Sequence, residues 1–269
     1  MLKNRLIPMV LLRDGVVVQS KRFKRYQRLG NPVTIVERLT DWAADELIYL
    51  DIGNQAKYDL GRDDLNAANR GTLLEILGDI SKACFMPLTF GGGIRTIDDV
   101  AERLAVGADK VAINTAAIED PAFITRCAKE FGSQCVVVSI DAKSSGDGYE
   151  VYGGRGKVPS GKTPDRWAAE AESRGAGEIL INSIDRDGRG DGYDLDLVGG
   201  VVDAVGVPVI AAGGVGRWEH FAEALDSTRV SGLAAANIFH YTENSVYAAK
   251  AFLHDGGYPV RQPSLGVTD

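Results

Sequence analysis

Short apolar runs alternate with longer amphipathic segments along the chain, and no linker rich in proline, serine or charge separates them. Runs of β-branched and aliphatic residues of this length are typical of buried strands. Eight strands are predicted in this way, at Leu6–Leu11, Leu47–Ile52, Phe85–Phe90, Lys110–Ile113, Cys135–Asp141, Glu178–Ile184, Pro208–Ala212 and Gly232–Ala236.

The segments between the strands predict helices. In "NPVTIVERLTDWAA", "NRGTLLEILGDISKA", "TIDDVAERLAVG" and "DPAFITRCAKEFG" apolar residues recur at helical spacing, and Asn, Thr or Asp stands at the start. Eight βα units predict a single (β/α)₈ barrel domain over residues 1–269, with a short C-terminal tail at 262–269. A doubly wound sheet shows the same alternation but usually has fewer strands.

The two halves of the chain resemble each other. The segment "ADELIYLDI" is echoed by "AGEILINSID", and "FGGGI" by "AGGVG". A duplication of four βα units favours the closed barrel, and it pairs Asn114 with Asn237 and Leu11 with Asp141. In such barrels the chemistry lies at the C-terminal ends of the strands, so the candidate residues are sought there.

The amino-acid composition argues against several classes of protein. The formal net charge of −7 argues against a protein that binds nucleic acid through its phosphate backbone. The three cysteines, Cys84, Cys127 and Cys135, lie in apolar runs, which suits a reducing cytoplasm. Neither a membrane span nor a signal peptide is predicted, so we expect a cytoplasmic protein that does not bind membranes.

Glycines follow two of the predicted strands. Gly91–Gly93 come after the third strand and Gly213–Gly214 after the seventh, while "NTA" at 114–116 and "NIF" at 237–239 can cap short helices at the same face. Glycine lets the backbone approach a ligand, and helix N-termini attract anions. The sequence therefore predicts two symmetry-related phosphate sites. The alternative is that the glycines only permit tight turns.

Carboxylates collect at strand ends: Asp51, Asp141, Asp185 and Asp187. Asp141 ends the apolar run "CVVVSID", where a charge is costly unless it is used, so we expect it to be catalytic. For the others, capping of a loop is the competing explanation. The partner of Asp141 in the repeat is Leu11, which leaves a symmetric pair of carboxylates incomplete.

The strand starts carry two positive and two negative residues, Arg5, Glu46, Lys110 and Glu178. They predict either a structural ring of salt bridges at the stability face of the barrel or a gate around its axis.

Other polar features carry weaker signals. His220, His240 and His254 have no companion at ligand spacing, so we expect neither a bound metal nor a cofactor. The basic stretch "KRFKRYQR" at 21–28 is expected in the loop after strand one, either solvated or covering an anionic substrate. A small hairpin insertion is predicted near 148–162.

Together these motifs resemble the cyclase subunit of imidazole glycerol phosphate synthase, over residues 5 to 261. The resemblance is carried by "DGVVVQ", "ADELIYLDI", "PLTFGGGIRTIDDV", "GADKVAINTAA", "FGSQCVVVSIDAK", "GAGEILINSIDRDG" and "VIAAGGVGRWEHF". It implies a (β/α)₈ barrel with a glutaminase docked at its N-terminal face. Ammonia would cross the barrel and react at the other face with a bisphosphorylated ribulosyl intermediate.

The resemblance also assigns roles to residues. The family's gate charges fall on Arg5, Glu46, Lys110 and Glu178. Its phosphate-binding positions fall on Gly92, Gly93, Asn114, Thr115, Gly188, Gly214 and Asn237.

The catalytic positions match less well. The family's two acid/base aspartates fall on Leu11 and Asp141, and its loop lysine falls on Gln19. Two further polar positions have become Ala212 and Asn182, and the loop after strand two contains an insertion at 54–69. Leucine cannot transfer a proton, so the resemblance implies weak cyclase turnover.

Three functions follow. A branch of the family associated with glycosyl amidation in surface-polysaccharide clusters also has leucine in the first strand. It implies a barrel subunit that relays ammonia from a glutaminase towards Asp141 and Asp187, for amidation of a sugar by an amidotransferase. The second is an active cyclase of histidine biosynthesis in which Asp141, with Asp187 or Asp51, moves the protons. The third is a non-catalytic activator of a glutaminase.

Overall fold

The strands form where aliphatic and β-branched residues run together. The computed structural model of the chain describes residues 3–53, 70–240 and 245–263. In these ranges the strands are β1 (Arg5–Arg13), β2 (Val16–Lys21), β3 (Arg25–Gly30), β4 (Leu47–Asp51), β5 (Leu88–Gly91), β6 (Lys110–Ile113), β7 (Val136–Ser145), β8 (Gly148–Gly153), β9 (Val158–Pro159), β10 (Glu178–Ser183), β11 (Val209–Ala212) and β12 (Gly232–Ala235).

The helices lie between the strands as the amphipathic pattern predicts. In the same described ranges they are α1 (Pro32–Asp41), α2 (Leu73–Ala83), α3 (Ile97–Ala105), α4 (Thr115–Glu119), α5 (Ala122–Phe131), α6 (Pro164–Ser173), α7 (Leu195–Ala204), α8 (Glu219–Ser227) and α9 (Val246–Asp255). Asn31 caps α1, and Thr72 and Thr96 form capping boxes with Glu75 and Asp99. Side-chain oxygens that accept from the first free N–H groups fix these helix starts.

Eight of the described strands close into a parallel barrel. The order around the barrel is β1, β4, β5, β6, β7, β10, β11 and β12, and β12 pairs with β1. All eight neighbouring pairs are parallel. The predicted (β/α)₈ barrel is therefore confirmed, and the doubly wound alternative is wrong because the sheet has no free edge.

The start of the third predicted strand is wrong. The third barrel strand begins at Leu88, and Phe85 is 85% exposed. The neighbouring strand β4 begins at Leu47, which pairs with Leu88, so the three residues before Leu88 have no strand to pair with. An apolar residue alone does not extend a strand beyond its partner.

Two antiparallel extensions stand at the C-terminal face. The basic stretch at 21–28, expected in a loop, forms the turn and second strand of a hairpin, β2–β3, which continues β1. Asp14 and Gly15, both at positive φ, make the turn from β1 into β2, as Asp-Gly pairs do. The insertion predicted near 148–162 forms β8 and β9, with β8 paired to an extension of β7.

The apolar core has two layers. A large cluster lies between the strands and the helices. A smaller one fills the barrel interior with Ile7, Met9, Ile48, Ala112, Val137, Leu180, Ile210, Ala212 and Ala234. Among the described helices none is long and apolar enough to cross a membrane. The insertion at 54–69 and the end of the tail, 264–269, lie outside the described residues.

A buried ion pair fixes the N-terminal face. Lys250 on α9 is 1% exposed, and its Nζ donates to Asp45 Oδ1 at 2.7 Å and to Ala43 O at 2.9 Å. The other oxygen of Asp45 accepts from the backbone N–H of Leu6 at 2.9 Å. The pair therefore ties the last helix to the residues next to Arg5 and Glu46.

Replacing Lys250 with methionine should destabilise the protein by about 3 kcal/mol or more, because it leaves the carboxylate of Asp45 buried without its cation. Guanidinium unfolding measures the change. The matched control is Arg229→Ala, which breaks the exposed Arg229–Asp203 pair and should cost less than about 1 kcal/mol. Equal losses in the two variants would contradict the assignment.

Candidate functional site

Asp141 lies at the C-terminal face, where β7 leaves the barrel. Asn114 Nδ2 donates to its Oδ2 at 2.8 Å, and Asn182 Nδ2 donates to its Oδ1 at 3.1 Å. Burial raises the pKa of Asp141 to about 7; the Asn182 hydrogen bond opposes the rise and the charge of Asp187 adds to it. A carboxyl group with a pKa near neutrality can both take and release protons.

Asp187 follows β10 and anchors the β2–β3 hairpin. Its Oδ2 accepts from Ser20 Oγ at 2.7 Å and from the backbone N–H of Phe23 at 3.1 Å, and its carbonyl oxygen accepts from the N–H of Arg22 at 3.0 Å. Burial raises the pKa of Asp187, while these hydrogen bonds oppose the rise. The structure therefore places Asp187 near Asp141. Asp187 also holds the β2–β3 hairpin in place.

Asp51 is the last residue of β4, and its side chain stabilises the turn that follows. Its Oδ1 accepts from the N–H of Gly53 at 2.9 Å. A Cβ on Gly92 would lie 2.0 Å from the carbonyl oxygen of Asp51, so the position requires glycine. Gly92 and Gly93 both have positive φ, +105° and +66°. The predicted glycine loop is therefore packed directly against the end of β4.

Asn114 and Thr115 are held differently from the prediction. Thr115 begins the short helix α4, but Asn114 Oδ1 accepts no capping hydrogen bond, while its Nδ2 donates to Asp141. Thr115 Oγ1 accepts from the N–H of Gly154 at 3.0 Å. Asn114 therefore stands at the N-cap position of α4 as predicted, but its side chain belongs to the carboxyl site.

The second glycine cluster packs against the hairpin and the loop after β10. Asn237 Nδ2 donates to the carbonyl oxygen of Ser20 at 2.8 Å, and a Cβ on Gly188 would lie 2.4 Å from that oxygen. A Cβ on Gly214 would lie 2.0 Å from Gly192 O. The side-chain amide of Asn237, like that of Asn114, therefore donates a tertiary hydrogen bond.

Asp185 stabilises a neighbouring segment of backbone, which was the alternative to a catalytic role. Its Oδ2 accepts from the N–H of Ser144 at 2.9 Å, which fixes the extension of β7. Ser20 was missed by sequence reasoning. It is a small polar residue at the end of a β-branched run, and no local pattern marks it as the partner of Asp187.

Arg5, Glu46, Lys110 and Glu178 form a closed ring of ion pairs at the N-terminal end. Arg5 contacts Glu46 at 2.7 Å and Glu178 at 2.6 Å, and Lys110 contacts the same two residues at 3.2 and 3.0 Å. Three of these four contacts, Arg5–Glu178, Lys110–Glu46 and Lys110–Glu178, join parts of the barrel whose strands are not neighbours, so the side chains must meet inside it. Burial lowers the pKa of Arg5, but the carboxylates of Glu178 and Glu46 outweigh it and raise the pKa.

Leu11 lies in an apolar cluster between β1, the hairpin and β4, and it is 7% exposed. The cluster consists of Leu11, Val16 and Val18, with Tyr26, Leu50 and Ile52 packed against it. In register it stands beside Leu50 and Val18.

A sequence model of the family described as "Histidine biosynthesis protein" matches residues 5–245. The chain belongs to this family. It is 45% identical over 261 residues to a protein of Hyphomonas neptunium (strain ATCC 15444) named "Imidazole glycerol phosphate synthase subunit HisF". The match covers 97% of this chain and 99% of that relative, so the resemblance to a HisF-like cyclase subunit is confirmed.

The raised pKa of Asp141 predicts a pH-dependent gain from Asp141→Asn. The pKa of the Asp141 carboxyl is about 7 in the folded protein and ~3.9 in the unfolded chain. Ionisation of this group therefore has no effect on the free energy of unfolding below pH ~4, and it lowers that free energy progressively as the pH rises towards 7. Relative to the natural chain, the asparagine variant should therefore gain on the order of a few kcal/mol between pH 4 and 7, and no more above.

Guanidinium unfolding of both proteins at a series of pH values measures this difference. Only its slope with pH is diagnostic, since a constant offset reflects the amide itself. A difference that does not change with pH would mean that Asp141 titrates normally.

Proposed function

We propose that the chain is the barrel subunit of a glutamine amidotransferase, in which ammonia enters at the ring of four charges and is used beside Asp141. The observation that carries this is the arrangement of the two ends. A charged ring crosses the barrel at one end, a carboxyl group of pKa about 7 stands at the other, and small and aliphatic side chains fill the interior between them. Neutral ammonia can pass such side chains, whereas ions cannot without a large desolvation cost.

The ring acts as the gate in this proposal. Its two positive and two negative groups balance, and each cation bonds both carboxylates. Moving Lys110 aside leaves Arg5 still bonded to both glutamates, so the ring can open on one side without coming apart. A glutaminase partner docked at the N-terminal face would release ammonia directly against it.

Asp141 is the acid/base residue of the proposal. Its pKa near neutrality lets it take a proton from attacking ammonia and return it to a leaving group. Asp187 supports the same site and holds the β2–β3 hairpin over it through Ser20. Asp51 shapes the glycine loop and is assigned a lesser part in proton transfer.

The glycine loops are the proposed phosphate sites. One consists of Gly92, Gly93, Asn114 and Thr115, and the other of Gly188, Gly214 and Asn237. All four glycines have positive φ, a conformation that glycine adopts without strain. A residue without a side chain also lets an anion approach the backbone N–H groups. Two sites would suit a ligand with phosphate at both ends.

For the ammonia acceptor we propose a sugar that a partner amidotransferase converts to its amide, in surface-polysaccharide biosynthesis. Leu11 and its apolar surroundings support it, because a residue that cannot transfer a proton stands opposite Asp141 in the repeat. The second candidate is the cyclase of histidine biosynthesis. It is supported by the 45% identity to a HisF subunit and by the presence of Asp141.

A steady-state assay with ammonium and the bisphosphorylated ribulosyl substrate separates the candidates, and it needs no partner. We expect little turnover from the natural chain and a gain of ~10² or more in Leu11→Asp, because a second acid/base group becomes available. Leu11→Asn is the matched control, since it has the shape of aspartate without its acid.

Turnover of the natural chain near ~1–10³ s⁻¹ would establish the cyclase and contradict the sugar proposal. An inactive Leu11→Asp protein that still folds would contradict the assignment of the phosphate sites.

Lys110→Ala tests the gate in the assembly with its glutaminase. Opening the ring should raise the ammonia lost to solvent for each glutamate formed, because a cation that closes the axis is gone. Free ammonia and glutamate are measured in the same reaction. The control is Arg126→Ala, which breaks an exposed surface ion pair far from the ring of four charges in sequence. An equal ratio in both variants would favour the third hypothesis, a non-catalytic activator.

A further inference from the structure

We infer that Asn182 is a positioning residue for Asp141, which holds the carboxyl group in place jointly with Asn114. The two amides donate to different oxygens of the same carboxyl, Asn182 to Oδ1 at 3.1 Å and Asn114 to Oδ2 at 2.8 Å. Asn182 is 6% exposed and comes from β10, whereas Asn114 follows β6. The carboxyl of β7 is thus held from the strands on both of its sides. Its importance for catalysis rests on the proposed role of Asp141.

The orientation of both amides follows from this contact. A carboxylate only accepts, so each NH₂ group must face it, and turning either amide would set oxygen against oxygen. The opposite atoms, Asn114 Oδ1 and Asn182 Oδ1, are buried and have no hydrogen-bond partner within the described residues. Asp141 is therefore the group that fixes these side chains, and the hold is mutual.

Gly213 provides the space for Asn182. In the ladder, Asn182 stands between Asp141 on β7 and Ala212 on β11. Gly213 follows Ala212 at φ +90°, and a Cβ there would lie 2.7 Å from Asn182 Oδ1. A side chain at residue 213 would push the amide from its place. The small residues at the end of β11 and the amide on β10 therefore form one unit.

Among the described residues, the titratable groups near Asp141 include Asp187, Tyr26 and Tyr152. The charge of Asp187 raises the pKa of Asp141, and Tyr26 on β3 lies within the electrostatic reach of both carboxylates. Tyr152 stands opposite Asp141 in the antiparallel ladder. Against these neighbours, the Asn182 hydrogen bond favours the charged form of Asp141. Without it, the pKa of Asp141 should rise, and less carboxylate would be present at neutral pH.

Carbon-13 NMR of the aspartate carboxyl carbons tests the inference directly, with Asp141→Asn identifying the resonance. In Asn182→Leu the pKa of Asp141 should rise by roughly one unit, a ~tenfold change in its acid dissociation constant. Asn182→Ala and Gly213→Ala should shift it in the same direction, the second by displacing the amide. The three variants act by different structural changes, so the test does not depend on any single one of them folding.

The matched control is Ser139→Ala, a buried polar side chain two residues earlier on the same face of β7. It should leave the pKa of Asp141 unchanged. An Asp141 pKa in folded Asn182→Leu equal to that of the natural chain, or lower, would overturn the inference.

The pH profile of ammonia-dependent turnover, measured in Leu11→Asp, separates this inference from the proposed function. If both hold, removing the amide of Asn182 shifts the kcat profile to higher pH and leaves KM little changed. A shifted carboxyl pKa with an unshifted kcat profile supports the positioning role but contradicts Asp141 as the acid/base group.

Discussion

The hydrogen bonds that close the sheet between β12 and β1 are the constraint on which the rest depends. An open sheet would leave Arg5 and Glu178 on separate strands of a flat surface. Closure turns alternate side chains of every strand inward, where they meet across the axis. The four charges at the N-terminal end can then satisfy one another. The two amides at the other end come from the strands on either side of β7, so local strand pairing already brings them to one carboxyl group.

Burial has different outcomes for the four charged residues of the ring and for the carboxyl group of Asp141. In the ring each charge has partners of opposite sign, and the carboxylates of Glu178 and Glu46 raise the pKa of Arg5 although burial lowers it. Asp141 has amide donors but no cation among the contacts described above, and burial moves its pKa to about 7. A paired charge gives a stable closure, whereas an unpaired one gives a group poised to exchange protons. The two ends therefore differ in chemistry although both are buried and polar.

The loops at the C-terminal face are joined to one another by tertiary contacts. Asp187 holds the hairpin through Ser20, Asn237 holds the same residue, and Gly188 leaves room for its carbonyl oxygen. Residues that a family pattern marks for ligand binding thus also carry tertiary contacts. Substituting them would change both the pocket and the position of the hairpin above it, so a loss of activity alone would not assign a role.

The sequence by itself determined the positions of the eight barrel strands, the capped helices, the barrel class and the residues at strand ends, because hydrophobic periodicity and capping are local properties. It also marked Asp141, since a carboxylate at the end of an apolar run is unusual wherever the chain goes. It did not predict the β2–β3 hairpin. It could not show that Asn182 and Asn114 share that carboxyl, that Asp187 binds Ser20, or that Lys250 meets Asp45. Those contacts join residues far apart in the chain, and only tertiary structure decides them, because they depend on which strands become neighbours and how far each is shifted.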